Sequence, residues 1–457
     1  MEPDGRVDLA GVPGDVLALC ERLRSQGKRA WIVGGCVRDM LLGRAASDWD
    51  VATDARPPEL LKIFPRAIPT GIDHGTVTVV KGGAHYEVTT LRGEGTYTDG
   101  RRPDWVAFVD DITADLARRD FTVNAVAVDP LDGKVIDPFD GRGDLARGLL
   151  RAVGDPLQRF SEDGLRVLRA ARFVATLELT LDPSTEAAIA PTIGTYRKVA
   201  HERVRDEWLK TMKARTPSRA FEVMRRTGIL EVTCPELLEG AGMEQNKWHA
   251  YDVWRHGMEC MDACAPDPVL RVAALLHDVG KPRTRAWSDK TQDWTFYEHE
   301  RVGAEIAAPI AARLRFSNEE RERIVALVRF HLVHYSDGWT DAAVRRWIRR
   351  VGKERLEDLY LLNAADVTAK GRDFQPDLDT LALLKAHVAR VLAEGAALST
   401  RDLKINGRDL MKELALEPGR ILGEILEALL DAVVGDPALN EREALLARAR
   451  EYVAKSR

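Results

Sequence analysis

Apolar residues recur along this chain in two rhythms. Over residues 6–29 they fall at Val12, Val16, Leu19, Cys20 and Leu23, the spacing of an amphipathic helix. Trp31–Val33 is a short apolar run that predicts a buried strand. Gly34-Gly35 interrupt it, because glycine lets a backbone turn tightly and approach a ligand closely. Cys36–Leu42 then predicts a short helix ending at Gly43. Alternation takes over in Asp48-Trp49-Asp50-Val51, Thr76–Val80, Tyr86–Leu91 and Thr122–Val128, the period of a strand. Pro57-Pro58 predicts a helix start before Glu59–Phe64, since proline loses no hydrogen bond there. These elements predict a mixed sheet of about five strands with few helices, a small α/β domain over roughly 25–150.

The helical rhythm dominates afterwards, at 151–175, Pro183–Ile189, Ala200–Ala214, Ser218–Gly228, the run ending at His277, and Pro376–Arg457. In the first of these, Ser161 is the expected N-cap, with Glu162 and Asp163 favourable in the first turn. Arg166, Arg169 and Arg172 form a slowly drifting stripe on one side, leaving Leu165, Val167, Leu168, Ala171 and Phe173 to pack. The pattern therefore predicts a multidomain chain, an α/β head followed by all-α domains. There are no internal repeats.

At 457 residues the chain exceeds one core, and its length suggests about three domains. No apolar run approaches the roughly 20 residues that span a bilayer, and no signal peptide is visible at the N-terminus. The five cysteines are odd in number and scattered, as expected of reduced thiols in the cytoplasm. A net charge of −5 does not advertise a nucleic-acid binder. Residues 142–226, however, carry 17 Lys+Arg against 11 Asp+Glu. Such a basic middle suits a confined phosphate-binding surface, and equally a solvated helical face.

Asp48 and Asp50 are two apart on a predicted strand, so they share a face. Adjacent carboxylates repel, and their usual use is to hold divalent cations. Glu87, on another strand, is either a solvent-facing residue or the third member of that trio. A glycine turn beside an acidic pair suggests nucleotide chemistry with Mg²⁺. GGCVRDMLLG followed by DWDVAT resembles the active-site signature of the class II tRNA nucleotidyltransferases and bacterial poly(A) polymerases, in the DNA polymerase β-like superfamily. LARRDFTVNA at 116–125 resembles the family's second nucleotide-site motif. Arg119 offers a charged fork for a triphosphate, and Asp120 and Asn124 either order the turn or contact a ribose. Glu162-Asp163-x-x-Arg166 resembles the family's base-recognition motif. CTP and ATP each present an exocyclic amine beside a ring-nitrogen acceptor, which a carboxylate and a guanidinium can read. UTP and GTP would set acceptor against acceptor.

His277-Asp278, at the end of an apolar helix, resembles the HD metal-dependent phosphohydrolase signature. His256 and Asp366 supply its first and last ligands. His299 and His331 fall where some HD proteins place extra ligands for a second ion. Imidazole with carboxylate suits Mn, Ni, Fe or Zn, and the identity of the metal is left open. Residues 405–426 resemble the tail of the longer bacterial CCA-adding enzymes.

The resemblance implies four parts. They are a nucleotidyltransferase head or palm (1–150), a helical neck and body (151–245), an HD domain (246–372) and a helical tail (373–457). It implies a cytoplasmic enzyme that adds C, C and A to the tRNA 3′ end from CTP and ATP without a template, and no membrane partner. Asp48 and Asp50 would hold two Mg²⁺, with Glu87 beside them. Gly34, Gly35, Arg38, Arg119, Asp120 and Asn124 would line the nucleotide site, Asp163 and Arg166 would choose the base, and Arg169 and Arg172 would brace them. His256, His277, Asp278 and Asp366 would hold the HD metal. Arg197, Lys198, Arg203 and Arg205 would be available to RNA phosphates. A CC-adding or A-adding enzyme stays open, since the sequence of the 92–103 loop, the candidate for the switch from C to A, does not settle it. So do a poly(A) polymerase and, in another class, an HD phosphohydrolase whose remnant palm only binds RNA. The sequence carries no sign of oligomeric state.

Overall fold

The computed structural model describes residues 5–46, 48–72, 75–93, 107–395 and 397–456. Most of the 92–103 loop lies outside them. The chain forms two compact units, residues 1–235 and 236–457.

The first unit is built on a seven-stranded mixed sheet of order β3-β4-β5-β2-β1-β6-β7. Its strands are β1 (Ala30–Val33), β2 (Asp50–Thr53), β3 (Ala67–Gly71), β4 (Thr76–Lys81), β5 (Ala84–Thr90), β6 (Ala127–Val128) and β7 (Val135–Ile136). Among the described residues of this sheet, β2 and β5 are the only neighbours that run parallel. Alternation sends Ile32, Val51, Val77 and Val88 to one face, where they meet Val16, Leu19, Cys20 and Leu23 of α1 (Gly14–Ser25) and Leu60 and Ile63 of α3 (Pro57–Ile63). Trp31, Val33, Ala52 and Leu91 go to the other face, against Ile112 and Leu116 of α4 (Ile112–Ala117). α2 (Gly35–Leu41) follows β1 directly.

The structure differs from expectation at several points. The helix expected over 6–29 is only Gly14–Ser25, because Pro13 precedes it and Gly27 has φ +73°. The sheet has seven strands rather than five, through the added β3 and the short β7. β2 begins at Asp50, so Asp48 precedes the ladder. Thr122–Asn124 is a 3-10 turn, and only Ala127–Val128 is strand. Side chains bend that segment away from the extended form. The Asp120 carboxylate accepts from Phe121 N (2.8 Å) and Asn124 Nδ2 (3.1 Å), and Thr122 Oγ1 donates to buried Asp144 of α5 (Gly141–Arg147) at 2.6 Å.

The helix expected at 161–175 is two helices, α6 (Pro156–Glu162) and α7 (Leu165–Thr176). Ser161 is not the N-cap. Its hydroxyl donates to Leu157 O within α6, whereas Asp155 caps α6 through Leu157 N. Asp163 stands in the break in extended conformation and accepts from Leu165 N at 2.9 Å. Short-side-chain acceptors compete with helix hydrogen bonds in this way. α7 then packs on the helices His201–Thr211 and Ser218–Arg226.

The second unit is helical apart from a small hairpin, Ala286–Ser288 with Asp293–Thr295. One core joins helices Val253–Ala263, Pro268–Leu276, Asn318–Phe330, Asp341–Val351, Leu356–Thr368 and Gln375–Ala393. A separate core holds the tail helices Gly407–Leu414, Arg420–Gly435 and Arg442–Ser456. Among the described residues no helix is long and apolar enough to cross a membrane. All five cysteines are free and buried.

Candidate active site

A polar pocket of about 600 Å³ opens beside β1, β2, β5 and α7. It gathers every residue expected of the nucleotide site: Gly34, Gly35, Arg38, Asp48, Asp50, Glu87, Arg119, Asp120, Asn124, Asp163, Arg166, Arg169 and Arg172.

The parallel register sets Asp50 opposite Glu87, so their side chains stand together on one face. Asp48 is exposed and also lines the pocket, while Trp49 between them is buried. Strand alternation thus extends past the last ladder bond. Burial, with the nearby charges of Glu87 and Asp48, pushes the Asp50 carboxyl up to about 6. A carboxylate cluster that raises its own proton affinity fits a divalent cation, which relieves the same repulsion.

Gly34 has φ +84°, and a Cβ there would meet Arg119 Nη1 at 3.0 Å and Asp50 Oδ2 at 3.3 Å. A side chain would therefore be strained and would crowd the site. Arg119 pairs with buried Asp115 at 3.4 Å, and its buried Nε–H has no hydrogen-bond partner. An orphaned buried donor fits an anionic ligand. Arg38 Nη1 donates to Asn124 Oδ1 at 2.7 Å and its Nε to Asp39 at 2.9 Å.

Asp120 and Asn124 order the turn. Asn124 spends its carbonyl on Arg38 and its amide on Asp120. Asp120 also takes the Arg169 Nε at 2.8 Å. Burial alone would raise the Asp120 carboxyl, but Arg169 and Asn124 hold it well below the carboxylate range.

The α6–α7 break aims Asp163 into the pocket. Arg203 clasps its carboxylate at 2.9 and 3.3 Å. Arg203 is thus not free for RNA phosphate as expected, and Arg205 pairs with Asp206 at 2.8 Å. Arg166 donates to Glu162 (2.5 Å), Arg159 O (2.8 Å) and Arg118 O (3.1 Å). Arg172 lies 4.0 Å from the Phe173 ring centroid and donates to buried Glu207 at 2.5 Å. The residues that sequence reasoning missed are these positioning groups. Glu162 had a signal, since it lies four residues before Arg166 in sequence, although the two belong to different helices. Arg203 and Glu207 had none, being about 40 and 35 residues from their partners.

A second cluster lies in the helical unit. His256, His277, Asp278, His299, His331 and Asp366 are all buried. His256 Nε2 is 3.0 Å from Asp366 Oδ1 and 3.3 Å from Asp278 Oδ2, and His277 Nε2 is 3.1 Å from Asp278 Oδ2. His256, His277 and Asp278 have the mutual proximity of a metal site, as do Asp278, His299 and His331. Lys281 Nζ lies 2.6 Å from Asp278 Oδ2.

The poly A polymerase head domain family matches residues 30–151, the RNA and SrmB-binding site of polymerase A matches 178–240, and tRNA nucleotidyltransferase domain 2 matches 285–449. The chain is 34% identical to a CCA-adding enzyme of Lactiplantibacillus plantarum over 433 residues, 94% of each chain. It is 37% identical to an A-adding tRNA nucleotidyltransferase of Deinococcus radiodurans, over 88% of this chain and 91% of that one. The Bacillus stearothermophilus CCA-adding enzyme, solved in complex with CTP, superimposes over the full length of both chains with a TM-score of 0.74 at 29% identity.

Proposed function

The chain belongs to the family of the CCA-adding tRNA nucleotidyltransferases, and on that premise we propose that it completes tRNA 3′ ends with C, C and A from CTP and ATP in the cytoplasm. The observation that carries this reading is one pocket lined by both the Asp48-Asp50-Glu87 carboxylates and the Asp163-Arg166 pair. Their common pocket supports transfer and choice of base acting on one bound nucleotide.

Enzymes of this family use divalent metals. Mg²⁺ fits Asp48 and Asp50, where it would activate the tRNA 3′-hydroxyl and neutralise the departing pyrophosphate. The 3′-hydroxyl would give up its proton to water, its oxygen would bond to the α-phosphorus, and the bond from that phosphorus to pyrophosphate would break. Arg119, with its unused Nε–H, and Arg38 hold the triphosphate. Asp163 accepts from the exocyclic amine of C or A while Arg166 donates to the ring nitrogen. Arg203 and Glu162 fix those two side chains, so the choice of base is made by protein hydrogen bonds without a template strand.

The test is incubation with Mg²⁺ and each labelled nucleoside triphosphate on tRNAs ending at the discriminator base, at C and at CC. Sequential C, C and A addition with UTP and GTP refused is expected. Addition of A alone, the activity named for the Deinococcus relative, would overturn the complete reading, as would C alone or a long A tail.

A second reading concerns the helical unit. His256, His277, Asp278 and Asp366 hold a divalent metal there and form a phosphohydrolase centre separate from nucleotide addition. It is supported by how the histidines are held. His277 Nδ1 faces Ala274 O at 2.7 Å and His256 Nδ1 faces Ala369 O at 3.2 Å. Each imidazole donates outward, leaving the Nε2 lone pair to face its neighbour, the arrangement of metal-bound histidine. Loss of a bound ion on changing His277 or Asp278, with addition retained, is the expected result.

A further inference from the structure

We propose that Asp115, a buried carboxylate behind the wall of the head pocket, is a positioning residue for nucleotide binding, and that it sets Arg119 and Arg166 in place together. The proposal rests on the reading of this pocket as the nucleotide site.

Asp115 lies on α4, one helical turn before Arg118 and Arg119. Spacings of three and four residues bring both guanidiniums back over the same carboxylate. Arg118 donates to Oδ1 through Nε at 3.1 Å and Nη2 at 2.8 Å, and Arg119 Nη2 stands 3.4 Å from Oδ2. Oδ1 also accepts from Arg92 N at 3.1 Å, just past the end of β5, the strand that carries Glu87. Asp115 is 1% exposed, while Arg92, Arg118 and Arg119 line the pocket. Its partners face the nucleotide site and it stands behind them.

Burying a carboxylate is costly unless its charge is met. Burial would raise the Asp115 carboxyl, but Arg118 and Arg119 hold it below its ordinary value, so it is ionised at neutral pH. Two guanidiniums on one carboxylate leave one positive charge in excess at the pocket wall. That excess lies beside the buried Arg119 Nε–H, which has no hydrogen-bond partner, and it suits a triphosphate. Among the described residues Asp115 is the only carboxylate paired with Arg119. Without its charge the two guanidiniums repel, and Arg119 loses the ion pair that orients it.

The same carboxylate reaches the base end of the site through the backbone. Its two bonds to the Arg118 side chain fix that residue, whose carbonyl accepts from Arg166 Nη2 at 3.1 Å. Arg166 belongs to α7, well separated from α4 along the chain. One buried charge thereby spaces a phosphate contact against a base contact. A nucleoside triphosphate has a limited span, so both contacts engage it at once only if that spacing is right.

The test measures kcat and KM of the full chain for CTP, ATP and UTP, on tRNAs ending at the discriminator base and at CC. Asp115→Asn keeps an acceptor for Arg92 N and removes the charge. It should raise KM for CTP and ATP roughly tenfold, the loss of one charge-assisted bond, with kcat falling less than about threefold. A residue that served only the fold would lower the melting temperature and the active fraction and leave KM unchanged. In an Arg119→Gln background the same change should raise KM by less than about twofold, because the group it acts through is gone. Asp115→Glu restores the charge and should recover part of the affinity. Arg118→Gln keeps the Asp115–Arg119 pair and loosens the residue whose carbonyl holds Arg166. It should lower discrimination of CTP over UTP roughly fivefold, with KM for CTP changed by less than about twofold, and it carries the test if Asp115→Asn does not fold. An unchanged KM in Asp115→Asn, or a KM rise that persists in full without Arg119, overturns the positioning role. Unchanged discrimination in Arg118→Gln overturns its reach to the base. No addition by the unaltered chain overturns the nucleotide reading and this proposal with it.

Discussion

The two candidate metal clusters solve opposite problems. The head site presents carboxylates on the rim of an open polar pocket, with Asp48 exposed and Asp50 half-buried. Its Asp-x-Asp comes from one strand end and its third carboxylate from a parallel neighbour. The helical-unit cluster is buried, uses imidazoles, and gathers its ligands from three helices and the turns that end two others. Oxygen ligands near solvent suit ions that arrive with a triphosphate and leave with pyrophosphate. Imidazoles locked by backbone carbonyls suit an ion that stays. Strand alternation and one parallel register build the first site, whereas the second depends on helices meeting at a point.

If the sites are independent, each can be destroyed without the other. The largest effect expected is from Asp48→Ala with Asp50→Ala. Losing several kcal/mol of charge stabilisation lowers nucleotide addition by roughly a thousandfold or more, while metal retained by the helical unit is unchanged. Single-turnover addition assays and metal analysis measure the two sides. The converse variant, His277→Ala with Asp278→Ala, should empty the helical cluster and leave the rate of C and A addition essentially intact. A joint loss would mean that the two sites are coupled.

Within the head, Asp163→Asn replaces an acceptor by a side chain that can also donate. Discrimination of CTP over UTP should fall by roughly 10- to 100-fold, the range of about 1–3 kcal/mol for a misplaced hydrogen bond, as read from kcat/KM for each triphosphate. Arg203→Ala removes only the clasp on Asp163. A loss of about tenfold in kcat/KM for CTP and ATP is expected, of the order of one charge-assisted bond. Lys at 203 should recover part of it, since a single ammonium can hold one oxygen but not both.

The smallest effect is on stability. Asp120 is held below its ordinary value by Arg169 and Asn124, against burial. A group whose folded pKa is depressed contributes stability above the unfolded value, near 3.9, and loses it as pH falls further. The melting temperature should therefore decline below about pH 4. Asp120→Asn should melt lower at neutral pH and decline less steeply on acidification.

Much of the head was legible because its chemistry is local. The Gly-Gly turn, the strand pair and the arginine stripe lie within a few residues of each other, and short-range periodicity sets which way their side chains face. The failures share one cause. The segment 122–128 alternates like a strand, yet Asp120 and Asp144 capture its turn with side-chain bonds that periodicity does not register. Residues 161–175 read as one helix, yet Asp163 caps a break and is aimed into the pocket by it. Arg203 looked like a surface cation and is instead the partner of that aspartate. Its roughly 40-residue separation leaves no mark in the sequence.

The sequence by itself determined the inventory: a glycine turn beside paired carboxylates, a Glu-Asp-x-x-Arg run, and a His-Asp pair at the end of an apolar helix. These follow from backbone freedom, alternation and helical spacing, which act over a few residues. Tertiary structure alone decided which groups are spent on one another and which converge. Arg203 and Glu162 orient Asp163 and Arg166, and Asp278 stands between two pairs of imidazoles. Such pairings depend on where distant helices come to rest, which is set by the packing of whole cores and not by any short stretch of chain.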